Sequence, residues 1–281
     1  MENIHIIDPE TLELKIKKLK QHGPSKLHLI SDFDMTLTTA SLAKSGLPAA
    51  TSFSALESNL PPEYAKEVYE LYVKYHTIET ANNILQEQKD LAMEEWWLKA
   101  LEIMKNYKLN KNLLDKVIKS NGIKEREGVL EFFNIAYKKD IPLLILSAGV
   151  GDIISGYINE KGFSFNGNVH IISNFYKFDS EGNVEGYISD LIHPFNKNKS
   201  KIRGNIFYDK VIERKNLILL GDSLGDAKME EGMEHDTVLK IGFLNSRIEE
   251  LFSHYSKLFD VLILNDGPMH YVNSLLKEIC Q

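Results

Sequence analysis

The chain has 281 residues, a length that suits about two domains, and a net charge of −7, which argues against nucleic acid as main partner because a phosphate backbone needs a basic surface. Its apolar share of 43% can bury a sizeable core. No apolar run approaches the roughly 18 residues of a membrane span, Met1-Glu2-Asn3-Ile4 lacks the basic and apolar regions of a secretory signal, and the single cysteine, Cys280, can form no intrachain disulfide, so a cytoplasmic protein is expected.

In chain order, Asp8-Pro9-Glu10 reads as a helix start, with Asp8 as N-cap, Pro9 at the first helical position, and Leu12, Ile16 and Leu19 on the apolar face. Leu27–Ile30 is the first of six short apolar segments bounded by Gly, Asp, Asn or Ser. The others are Leu143–Leu146, Val169–Ile172, Leu217–Leu220, Val238–Ile241 and Val261–Leu264. Runs of this kind are strands covered on both faces. Amphipathic patterns follow several of them, as at Ile248, Leu251, Phe252 and Tyr255, and again at Tyr271, Leu275 and Ile279. Strand alternating with helix predicts an α/β fold with a Rossmann-like parallel sheet and right-handed crossovers.

The first strand is out of step. Roughly 110 residues separate it from the second, where a βα connection usually takes about 2–6. The intervening stretch reads as helices. Tyr64, Val68, Leu71, Tyr72 and Tyr75 recur at helical spacing behind Pro61-Pro62, as do Trp96, Trp97, Leu101 and Met104, and then Leu113, Leu114, Val117 and Ile118. A helical cap over residues 48–124 is therefore expected, inserted into a core formed by 1–47 and 125–281. Val129, Leu130, Phe133, Ala136 and Tyr137 form a further helix, assigned to the core. Between Asn174 and Ile192, Phe175–Phe178 and Val184–Ile188 flank a Gly-containing acidic turn and predict a β-hairpin.

Chemistry-bearing residues gather at the strand ends. Asp32-Phe33-Asp34-Met35-Thr36-Leu37-Thr38 follows the first strand directly. Residues i and i+2 of an extended chain point the same way, so both carboxylates project where open α/β sheets place ligands. Two carboxylates this close repel, and a divalent cation would relieve that; an acidic turn without an ion is the competing reading. Ser147-Ala148-Gly149-Val150-Gly151-Asp152 follows Leu143–Leu146. A hydroxyl and backbone N–H groups at a helix N-terminus suit a phosphate, although an ordinary Gly-rich turn looks the same. A dinucleotide fingerprint fails here, because the third glycine would fall on Ile154.

Lys197, in His193-Pro194-Phe195-Asn196-Lys197, is by itself a solvated lysine and gains meaning only beside the other clusters. Gly221-Asp222-Ser223-Leu224-Gly225-Asp226 follows Leu217–Leu220, with Asp222 at the strand end and Asp226 about one turn on. It can complete an oxygen-ligand cation site or simply cap a helix.

In this order the four clusters resemble the haloacid-dehalogenase-like phosphatase superfamily. Within it the chain is similar to the cytosolic pyrimidine 5′-nucleotidase family. That likeness rests on Ser31–Leu37, Ser147–Asp152, Ser173-Asn174-Phe175, Leu191–Lys197 and Leu219–Ser223, with Ile78-Glu79 in the cap. It runs from about residue 25 to the C-terminus and is weakest across Thr39–Pro62.

The resemblance implies a Mg²⁺-dependent phosphatase acting through a phosphorylated aspartate. Asp32 is the implied nucleophile and Asp34 the implied general acid and base. Mg²⁺ is expected on Asp32, the Asp34 carbonyl and Asp222, with Asp226 supporting. Ser147, Ala148 and Lys197 are expected to hold the phosphoryl group, Glu79 to read the base, and Trp97 to stack on it. CMP and UMP are the expected substrates, 7-methyl-GMP the alternative, with phosphotransfer to a nucleoside as a side reaction. A monomer acting on a small nucleotide, with no nucleic-acid or membrane partner, is expected. A capped phosphatase for another ester such as phosphoserine is the enzymic competitor. A catalytically dead scaffold is the other, and it would have no need to keep Asp32, Asp34, Lys197 and Asp222 together.

Overall fold

The computed structural model describes residues 3–42, 47–81, 83–120, 122–163 and 167–281. Its strands are β1 (Ile4–Ile6), β2 (Leu27–Ser31), β3 (Leu143–Val150), β4 (Val169–Asn174), β5 (Tyr176–Phe178), β6 (Val184–Tyr187), β7 (Asn216–Gly221), β8 (Thr237–Leu244) and β9 (Val261–Leu264). The helices are α1 (Pro9–His22), α2 (Pro62–Thr80), α3 (Gln86–Asn106), α4 (Lys111–Lys119), α5 (Val129–Lys138), α6 (Gly151–Glu160), α7 (Lys199–Ile202), α8 (Ile206–Val211), α9 (Ile248–Tyr255) and α10 (His270–Ile279).

Seven strands form one sheet in the order β1-β9-β8-β7-β2-β3-β4. All pairs are parallel except the edge pair β1–β9. Every residue of β2, β3 and β7 is buried, which explains their unbroken apolar runs: helices cover both faces and neither face needs polar side chains. The six apolar segments read from the sequence are all strands, and the hairpin is β5–β6.

Two features depart from the sequence reading. Strand β1 was not anticipated: three residues at a sheet edge carry too short a pattern to stand out. Strand β3 runs on through Ser147 to Val150 rather than ending at Leu146, and its register against β4 shifts between Leu146 and Val150. That irregularity re-aims the backbone at the point where the sequence placed a strand-to-helix turn.

Central strand β2 lies between β7 and β3, so three chain segments leave the sheet side by side at one edge. The long insertion after β2 contributes α2, α3 and α4. It is packed, not loose. Helix α4 approaches α6 so closely that a Cβ on Gly156 would lie 2.2 Å from the Ile118 side chain. The β5–β6 hairpin ties the insertion down further: Val184 N–H donates to the Leu109 carbonyl at 2.8 Å, and Lys111 N–H to that of Gly182 at 3.1 Å. Among the described residues no helix is long and apolar enough to cross a membrane.

Candidate active site

The Asp32 N–H donates to the Leu220 carbonyl at 3.0 Å, which extends the β2–β7 ladder by one residue. The two acidic loops therefore start abreast, and carboxylate oxygens of Asp32, Asp222 and Asp226 lie within 4.8 Å of one another. Glycines permit this approach. A Cβ at Gly221 would meet the Asp226 side chain at 2.3 Å, and one at Gly225 would meet the Pro194 carbonyl at 2.5 Å. The second contact presses the loop carrying Lys197 onto the loop carrying Asp222 and Asp226.

Lys197 is the counter-ion of the cluster. Its ammonium donates to Asp32 Oδ1 at 2.5 Å and to Asp226 Oδ1 at 2.9 Å, and all three side chains are almost fully buried. Asp226 Oδ2 is taken by the Asp222 and Ser223 N–H groups and the Ser223 hydroxyl. Asp226 is thus engaged on both oxygens. The Asp222 carboxylate, by contrast, receives from the described residues only a long 3.5 Å hydrogen bond, from the Thr36 hydroxyl to Oδ1. Oxygens of Asp32 and Asp222 are available to a hard cation, and the donor set fits one.

Burial raises the carboxyls of Asp32, Asp34 and Asp222 above their usual range; Lys197 opposes this at Asp32, and hydrogen bonds from Ser52 oppose it at Asp34. Burial alone would lower the Lys197 ammonium, but Asp226 and Asp32 outweigh it and hold the proton firmly.

Asp34 stands apart from this cluster. Both of its oxygens are held by Ser52, through the backbone N–H at 2.7 Å and the hydroxyl at 2.5 Å. The Ser52 hydroxyl in turn accepts from Val150 N–H at 3.1 Å. Gly149 lies between Asp34 and Ser147: a Cβ there would come within 2.2 Å of the Ser52 hydroxyl, 2.8 Å of Asp34 Oδ2 and 3.2 Å of the Ser147 hydroxyl. Gly149→Ala is therefore expected to push Ser52 off Asp34 and to destabilise the fold by about 1–3 kcal/mol. A thermal melt of the purified variant checks this, and an unchanged midpoint would show that the Ser52–Asp34 contact tolerates the crowding.

The Ser147 hydroxyl accepts from Gly149 N–H at 3.1 Å. The Ala148 carbonyl accepts from the Trp97 indole N–H at 2.9 Å and from Asn174 Nδ2 at 2.8 Å. Trp97 is 7% exposed, with Phe53 and Trp96 edge-on to its ring. Its polar edge thus joins α3 to β3. Glu79, on α2, has its carboxylate 3.1 Å from His76 Nδ1. The Tyr255 hydroxyl donates to the Asp222 carbonyl at 2.6 Å, and burial together with Asp222, Asp226 and Glu79 makes that phenol harder to ionise.

Several residues of this arrangement were not singled out from the sequence. Ser52 sits in a hydroxyl-rich run, Thr51-Ser52-Phe53-Ser54, whose only local signal is turn formation. Asn174 clamps Ile192 through both backbone groups and so anchors the Lys197 loop; its place in Ser173-Asn174-Phe175 was the available hint. Tyr255 appeared only as one apolar position of a helix.

A sequence model of the pyrimidine 5′-nucleotidase (UMPH-1) family matches residues 35–280. The 7-methylguanosine phosphate-specific 5′-nucleotidase of Homo sapiens is 35% identical over 277 residues, spanning 97% of this chain and 91% of that one. A 7-methylguanosine phosphate-specific 5′-nucleotidase A from Xenopus laevis is 34% identical over 281 residues, spanning 99% and 96%. Among solved structures, cytosolic 5′-nucleotidase IIIB bound to cytidine matches with a TM-score of 0.90 and 30% identity over 99% of this chain and 94% of that one. A substrate-bound phosphoserine phosphatase, 14% identical with a TM-score of 0.57 over 88% of this chain and 96% of that one, shares the fold alone.

Proposed function

The chain belongs to the pyrimidine 5′-nucleotidase family, with its haloacid-dehalogenase-like fold, and from that membership we propose that it hydrolyses nucleoside 5′-monophosphates through a phosphorylated Asp32. The observation that carries this reading is the buried contact of Lys197 with both Asp32 and Asp226, beside an Asp222 carboxylate open to a cation.

In the first step an Asp32 carboxylate oxygen forms a bond to phosphorus while the P–O5′ bond breaks and the nucleoside oxygen takes a proton from Asp34. In the second, water attacks phosphorus, gives its proton to Asp34, and the bond to Asp32 breaks, releasing phosphate. A nucleoside hydroxyl in place of that water would give phosphotransfer. Asp32, the Asp34 backbone carbonyl and Asp222 would hold Mg²⁺, with Asp226 supporting. Bound there, the ion would offset charge on the transferring phosphoryl group. Lys197 adds a fixed positive charge, and the Ser147 hydroxyl and the Ala148 backbone line the phosphoryl side.

We assign the helical insertion, residues 48–124, the role of a cap over a core of 1–47 and 125–281. In this reading Glu79 hydrogen-bonds a base edge and Trp97 stacks on the base. CMP and UMP are the substrates the family description favours. A second reading, 7-methyl-GMP, draws on the cap chemistry. Tyr72 stacks on His76, whose Nδ1 lies beside the Glu79 carboxylate, with centroids 4.9 Å apart, and Trp96 stacks on Tyr75 at 5.8 Å. Electron-rich rings and an acidic group suit a cationic, methylated purine. The names of the curated relatives agree with this second reading. A monomeric, cytosolic enzyme fits both.

Phosphate release from CMP, UMP, 7-methyl-GMP, AMP and phosphoserine, with Mg²⁺ and with EDTA, tests the proposal. Mg²⁺-dependent release from CMP, UMP or 7-methyl-GMP is expected, and the kcat/KM ranking decides between the two base preferences. Turnover of phosphoserine without nucleotide turnover would overturn it.

A further inference from the structure

Arg126 is the largest fully buried side chain among the described residues, and it touches neither Asp32 nor Asp34. Burying a guanidinium is costly unless each donor finds a partner. Here Nε donates to the Thr36 carbonyl at 2.7 Å and Nη1 to that of Gly267 at 2.7 Å. Nη2 donates to the carbonyls of Met35 and of Thr38, the latter at 3.2 Å, and to Asn245 Oδ1 at 3.1 Å. Asp266 closes the ion pair at 3.0 Å, and the Phe243 ring centroid lies 4.3 Å from the guanidinium carbon.

Three of these acceptors are carbonyls of Met35, Thr36 and Thr38, the turn that immediately follows Asp34. Met35 sits in the left-handed region at φ 60, unfavourable for a side chain of its kind. Its carbonyl is held from two sides, by Arg126 and by Asn245 Nδ2 at 2.9 Å. Asp266 pins the next stretch, accepting from Ala40 N–H at 3.0 Å and from the N–H and hydroxyl of Ser41 at 3.0 and 2.9 Å. The turn is thus over-determined by side chains from the segments that follow β8 and β9 and precede α5. A strained residue that its surroundings hold so firmly points to a geometric requirement at its neighbour.

We propose that Arg126, with Asn245 and Asp266 as its partners, is a positioning residue for phosphoryl transfer: it locks the Met35–Thr38 turn and thereby sets the direction of Asp34 and of the Thr36 hydroxyl that meets Asp222. The inference rests on the phosphatase reading above. Arginine is required because five N–H donors in a planar fork can meet several carbonyls at once, whereas lysine offers three from a single point.

The test compares Arg126→Lys and Asn245→Ala with wild type on p-nitrophenyl phosphate and on the nucleotides. The simple ester needs no base recognition. Wild-type turnover of the ester without nucleotide turnover would remove the nucleotidase reading while leaving the comparison of variants intact. Arg126→Lys is expected to lower kcat by about 10²-fold and Asn245→Ala by about tenfold, with KM within threefold of wild type in both. Each variant is assayed at least 15 °C below its own thermal midpoint, so that loss of folded protein does not enter. If Arg126→Lys does not fold, Asn245→Ala carries the comparison. Unchanged kcat, or a change confined to KM, would overturn the proposal and leave Arg126 with a structural role only.

Discussion

Asp32→Asn is expected to abolish turnover, lowering kcat by about 10⁴-fold or more. In the proposed mechanism the amide cannot supply the anionic oxygen that bonds to phosphorus, and without that bond the two-step route is closed. The same substitution is expected to leave the protein at least as stable when no metal is bound. Three carboxylates, from Asp32, Asp222 and Asp226, crowd one buried site around a single ammonium. Burial already raises the Asp32 carboxyl, and the Asp226 and Asp34 charges add to that push. A neutral, isosteric side chain relieves the repulsion and still presents an oxygen to Lys197. Phosphate release with Mg²⁺, together with a thermal melt in EDTA, reads both effects. Turnover within tenfold of wild type would remove Asp32 as nucleophile. A fall in the melting midpoint would show that the pairing of Lys197 with Asp32 outweighs repulsion among the carboxylates.

Lys197→Met should strike activity and stability together. The methionine fills much of the lysine volume but leaves Asp32 and Asp226, 4% and 1% exposed, without their common counter-ion. Breaking a buried pair from one side typically costs about 3–5 kcal/mol, because the remaining charge stays desolvated. In the proposed mechanism catalysis also loses a fixed positive charge at the phosphoryl group, for which about 10²–10³-fold in kcat is expected. A cation bound by the same carboxylates would offset part of the lost charge. Mg²⁺ should therefore raise the thermal midpoint of Lys197→Met more than that of wild type. Melts of both proteins with Mg²⁺ and with EDTA decide this. Equal midpoints for the two proteins in EDTA would mean that Lys197 does not hold the cluster together.

Much of the fold was legible because its signals are local. Segments such as Leu217–Leu220 are short, apolar and bounded by polar residues, as strands buried on both faces must be. Asp8 before Pro9 marked a helix start, and the structure shows Asp8 Oδ1 capping Glu10 and Thr11. The extent of β3 was not legible, because Ser147-Ala148-Gly149-Val150 reads as a turn; its pairing with β4, not its composition, keeps it extended. Arg126 was equally hidden. Arginine is ordinarily exposed, and nothing in its neighbourhood says that acceptor oxygens from three distant segments will converge on it.

The sequence by itself determined that Asp32 and Asp222 stand where their strands end, and therefore that they share one edge of the sheet. Strand periodicity and parallel order are enough for that. Only the tertiary structure decided how those residues are held. Lys197 reaches Asp32 across 165 residues of chain, Ser52 latches both oxygens of Asp34, and Arg126 clamps the turn that follows Asp34. These contacts depend on where loops and side chains meet once the sheet and its insertion are packed. Hydrogen bonds and ion pairs made at a few ångströms are set by that packing, and no pattern along the chain encodes it.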